Sequence, residues 1–179
     1  MSEFEFVSVL VSIIFGLGLT HLLSGLFRLA YRRELTERHV VYTGWVFMVL
    51  VLNWWVFFGW RNFPSWSFEV FLLIVLWALS FYVLAIALYP LEDTGASGSP
   101  VRYRLFHGAI ILTVLLDIAW TAAQGKLLTP WYYLPFVGHY AVLAILAEAT
   151  RSHALKRAIA WWFFVSILVW ALVVRRIVT

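Results

Sequence analysis

Six stretches of the chain are nearly unbroken runs of apolar side chains: residues 6–30, 40–60, 66–89, 103–123, 131–150 and 155–174. Each is long enough to cross about 30 Å of hydrocarbon at about 1.5 Å per helical residue. None alternates apolar and polar positions, as a transmembrane β-strand would. The pattern predicts an all-α integral membrane protein, a single domain over residues 1–179 built as a bundle of six transmembrane helices with short loops.

Prolines punctuate the gaps at Pro64, Pro90, Pro100 and Pro130. Thr129-Pro130 reads as an N-cap followed by an N1 proline. Pro135 alone falls inside a run, so the fifth helix is kinked there or truly begins there. The longest connection, residues 90–104, contains Gly95-Ala96-Ser97-Gly98 and has the composition of a polar turn.

Composition agrees with the pattern. The chain is 64% hydrophobic and 12% charged, with mean hydropathy +0.90. Soluble domains carry roughly 45–50% apolar and about 25% charged residues, so a soluble globular domain and a disordered chain are both excluded. The absence of cysteine removes disulfides, thiol nucleophiles and thiolate metal sites. The acidic start, with Glu3 and Glu5, lacks the basic n-region of a cleavable signal, so the first run is expected to be retained as a membrane helix.

Lysine and arginine set the expected orientation. Nine flank the first, third and fifth loops: Arg28, Arg32, Arg33, Arg38, Arg102, Arg104, Arg151, Lys156 and Arg157. Four lie on the other side: Arg61, Lys126, Arg175 and Arg176. This places loops 31–39, 90–104 and 151–155 in the cytoplasm and both termini outside; the expected location is the bacterial cytoplasmic membrane. Tryptophans such as Trp55, Trp60, Trp131 and Trp170 suit an outer aromatic belt. No basic helix face or aromatic RNA-binding motif is present, so nucleic acid is not an expected partner. Two three-helix halves would be inverted on this topology, but only Trp77-Ala78-Leu79 and Trp170-Ala171-Leu172 match between them.

Polar groups inside the runs are the candidate chemistry, because a charge at the bilayer centre costs on the order of 2.5–3.5 kcal/mol and must be compensated. Asp117 stands out. Thr113, Asp117, Thr121 and Gln124 recur at spacings of three and four and share one helical face. His139 and Asn53 fall within about 5 Å of the depth of Asp117, and Tyr132 shares the His139 face. Together they predict one outer polar layer able to relay protons or hold a cation or small polar ligand. The plainer alternative is hydrogen bonding between helices. An inner region is expected at His21, Arg28 and Glu148, with Arg28 and Glu148 near enough in depth to pair; His107 is expected at the interface.

In the first run, Gly16, Thr20 and Ser24 form a small-residue face, and Gly18, His21, Gly25 and Arg28 a neighbouring stripe. Both predict close helix packing, within the chain or against a second protomer or another membrane protein.

Four functions fit these features. The first is a proton- or cation-linked channel or carrier using the Asp117 layer. The second is a non-catalytic scaffold or partner subunit joined through the first helix. The third is a haem- or quinone-binding protein, with one haem held by His21 and His139, although their depths differ. The fourth is a membrane enzyme built on an Asp–His pair, for which no HExxH-like cluster or placed nucleophile exists. No resident cofactor or metal is predicted beyond the haem alternative, and no catalytic residue is assigned.

Overall fold

The computed structural model describes residues 2–61, 66–90 and 100–174. Pro64, the Ser97 turn, Arg175 and Arg176 lie outside them, as does the side chain of Arg102. Six α-helices follow one another: α1 (Glu3–Tyr31), α2 (Glu37–Phe58), α3 (Phe68–Leu88), α4 (Pro100–Ala123), α5 (Tyr133–Ala149) and α6 (His153–Val169). A π-helical turn, Trp170–Val174, extends α6. The described residues contain no strand. Five helices, α6 counted with its π-helical extension to Val173, are long and apolar enough to cross a membrane; α5, with 17 residues, is shorter.

Local chemistry sets the helix ends. Ser2 and Glu5 form a capping box on α1, with Glu5 N donating to Ser2 Oγ at 3.2 Å and Ser2 N to Glu5 Oε2 at 2.8 Å. Thr36 and His39 do the same for α2, the imidazole standing where glutamate is usual. Ser67 caps α3 and Ser152 caps α6. Gly125, at φ 68°, ends α4: Gly125 N donates to Ala122 O and Lys126 N to Thr121 O, the paired bonds of a Schellman motif.

The fifth helix starts later than its apolar run suggests. A chain of turns, with a cis Thr129–Pro130 bond, carries residues 126–132 across the end of the bundle. Tyr132, not Thr129, is the N-cap: Thr129 and Pro130 lie in the turns that precede the helix, and Pro135 falls in its first turn. The N–H that proline lacks is there one of the four with no helical partner, so α5 needs no kink.

Each helix packs on two neighbours in the order α1, α2, α6, α5, α4, α3 and back to α1, and α2 also touches α3 across the ring. The α1–α2–α3 side is densely filled: Phe15, Trp77 and Phe81 meet with ring centroids 5.0–5.7 Å apart. Gly18 lets α1 approach Leu50 and Tyr82, and Gly25 lies directly against the Tyr89 ring. The outward faces are also apolar, with Ile13, Leu17, Leu115, Val142 and Val165 exposed.

Candidate functional site

Between α2, α3, α4, α5 and α6 the packing opens. An inner cavity of about 80 Å³ is lined by Asn53, Thr113, Asp117, Tyr133 and Tyr140 among apolar neighbours. A larger vestibule of about 370 Å³ is lined by Trp60, Thr121, Gln124 and Lys126. Asn53, Val56, Asp117 and Tyr133 line both, so they form the boundary where the two spaces meet. A cavity needs only about 10–15 Å³ of such volume to hold a water molecule, and both spaces exceed that.

Asp117 is half-buried at this boundary. Trp77 Nε1, reaching from α3, donates to its Oδ1 at 2.9 Å. The Tyr133 hydroxyl, from the first residue of α5, donates to Oδ2. Each carboxylate oxygen therefore has a donor while the group still faces open space. Thr121 Oγ1 donates to the Asp117 carbonyl at 2.8 Å and Thr113 Oγ1 to Ser80 O at 3.3 Å. Asn53 Nδ2 donates back to Val49 O at 2.8 Å. Trp60 sits over this region between Trp77 and Trp120, with centroids 5.0 and 4.6 Å away.

The structure thus brings Asp117, Asn53, Thr113, Thr121 and Gln124 to two adjoining spaces that share Asp117 and Asn53 in their walls. Tyr132 and His139 are elsewhere. Tyr132 packs on Trp131 and Trp170. His139 faces a neighbouring side of α5 and lines an apolar groove against α6, with Nδ1 bonded to its own helix at Phe136 O. Successive helical residues are about 100° apart, and this one-residue rotation brings Tyr133, Val137 and Tyr140 to the cavity. Tyr133 and Trp77 are the partners that depth counting missed. Trp77 is fully buried in the most apolar helix, and nothing in the local sequence marks its N–H as a carboxylate donor.

Toward the other end of the bundle, the cavity gives way to an aromatic cluster. Trp45 lies 5.1 Å from Phe163 and 5.4 Å from Tyr140, and Tyr140 lies 5.2 Å from Phe163. Beyond it, buried His107 joins three helices. Its Nε2 is 3.3 Å from the Tyr42 hydroxyl, and its Nδ1 is 2.5 Å from Glu148 Oε1. Arg104 Nε stands 4.0 Å from Glu148 Oε2. Glu148 is therefore engaged with α4, and Arg28 instead donates to Pro90 O at 3.1 Å. His21 Nε2 is 2.5 Å from Tyr89 O, on the α1–α3 side. His139 lines the α5–α6 groove, which His21 does not line.

The small-residue stripes of α1 face different ways. Gly18 and Gly25 are buried against α2 and α3, whereas Thr20 and Ser24 are exposed and Gly16 has open space at its Cα. No protein family, curated protein or solved structure matches this chain.

Proposed function

We propose that this protein is an integral membrane protein of six spans, its Arg- and Lys-rich end cytoplasmic, that moves a proton or small cation by way of Asp117. The observation carrying the reading is a carboxylate that holds one donor on each oxygen and yet lines both a vestibule and an inner cavity. A carboxyl needed only to tie helices together would be filled in by its neighbours; this one faces open space. Membrane residence is supported by the five long apolar helices and by an apolar outer surface. The 17 residues of α5 reach the lower end of the length a span requires. In this reading the vestibule is the outer mouth, and the Trp45–Phe163–Tyr140 cluster closes the path on the cytoplasmic side.

The test is flux in proteoliposomes, with proton movement and alkali-cation movement read separately. Wild-type protein is expected to conduct one of them above protein-free vesicles, and Asp117→Asn to abolish the flux or its pH dependence. Unchanged flux in Asp117→Asn removes this residue from the mechanism.

A second reading, a non-catalytic subunit assembled through α1, is favoured by one observation: Thr20 and Ser24 are exposed, and among the described residues nothing stands within 4 Å of a Cβ at Gly16. Oligomer mass in detergent distinguishes it, with Gly16→Leu expected to dissociate the assembly.

A further inference from the structure

At the basic end, α2 and α6 begin side by side, and with the start of α4 they enclose a cleft of about 350 Å³. Its lining is mixed: apolar Val41, Ala160 and Trp161 share it with cationic Arg38 and Arg157 and with His153. We infer that this cleft holds the phosphodiester headgroup of one anionic phospholipid; the inference rests on the membrane reading but not on Asp117.

The cations differ in what they are already doing. Arg157 is neutralised: its Nε donates to Glu37 Oε1 at 2.9 Å, its terminal nitrogen lies 2.8 Å from Oε2, and Trp161 Nε1 also donates to Glu37 at 2.7 Å. This network fixes the wall and absorbs the one acidic side chain of the cleft. Arg38 is different. Its guanidinium lies 4.9 Å from the Tyr103 ring centroid, which orients it, and among the described residues it donates no hydrogen bond. A planar fork of donors, pre-oriented by an aromatic face, suits a phosphate. His153 adds an imidazole that can donate an N–H, and the first turn of α6 directs its N–H groups to the same end.

The occupant is a lipid rather than a soluble anion because apolar and cationic side chains line the same cleft. Trp161 in the cleft is 43% exposed, and Val40, next to Val41 in the chain, 48%. They leave a surface for the acyl chain that a free phosphate would not use. The surrounding Arg and Lys residues raise the local concentration of anionic headgroups.

The experiment compares full-length protein in nanodiscs of phosphatidylcholine alone and of phosphatidylcholine mixed with phosphatidylglycerol, reading retained lipid by native mass spectrometry and thermal midpoint together. Wild-type protein is expected to retain one phosphatidylglycerol and to be stabilised by it. Arg38→Gln should weaken retention about tenfold, the loss of one charge-assisted contact. Arg151→Gln, which removes an equal charge from outside the cleft, should retain the lipid as wild type does. Equal losses in the two variants, or phosphatidylcholine held as tightly as phosphatidylglycerol, overturn the site. Inorganic phosphate reproducing the full thermal shift in detergent overturns the lipid as occupant. Release from native membranes by alkaline carbonate would refute membrane residence itself, independently of these arms.

Discussion

Trp77 Nε1 and Asp117 Oδ1 are 2.9 Å apart, joining α3 to α4 between the filled half of the ring and its open half. The indole is fully buried and has no other role for its N–H, so it fixes the carboxylate at the cavity boundary. Trp77→Phe keeps a large aromatic ring but removes the donor. The expected cost is about 1–3 kcal/mol of stability, because the half-buried carboxyl loses its donor. The same variant should alter the pH dependence of any Asp117-linked flux. Thermal melts and proteoliposome flux measured on one preparation check both.

Tyr133 and His139 lie six residues apart on α5 but face different spaces. Tyr133→Phe is expected to change flux through the Asp117 site. His139→Ala should leave it within twofold of wild type, because the imidazole lines the α5–α6 groove instead. A large loss of flux in His139→Ala with the fold intact would return this histidine to the pathway.

Gly25 and Gly16 offer a contrast on one helix. A Cβ at Gly25 would stand 2.2 Å from Tyr89 Cγ, near the rigid base of that side chain. Gly25→Ala is therefore expected to cost about 1–3 kcal/mol through overpacking. At Gly16 a Cβ meets nothing within 4 Å. Gly16→Ala should change monomer stability by no more than about 0.5 kcal/mol. Thermal midpoints of the two variants, measured in the same detergent, decide.

The Tyr42–His107–Glu148 chain ties α2, α4 and α5 together at the basic end. Glu148→Ala leaves a buried imidazole nitrogen without its partner and is expected to cost about 1–3 kcal/mol. Tyr42→Phe, which removes one hydroxyl and keeps the ring packing on Phe106, should cost less. If both cost the same, the aromatic packing and not the polar chain holds this end.

Apolar runs and the prolines and glycines between them carried the helical order almost completely, because helix formation depends on neighbours within a few residues; the cap expected at Thr129 was not used. Spacings of three and four along α4 likewise placed Thr113, Asp117, Thr121 and Gln124 on one face, since that geometry belongs to a single helix. What lay beyond sequence was the rotation of each helix about its own axis. An all-round apolar helix such as α5 carries little asymmetry to announce its inward face, and a turn of one residue exchanged His139 and Tyr132 for Tyr133 and Tyr140. Only packing against α4 and α6 decided that rotation. Packing likewise decided that Glu148 pairs with His107 and not Arg28, because a side-chain partner is chosen by distances between helices that no interval along the chain encodes.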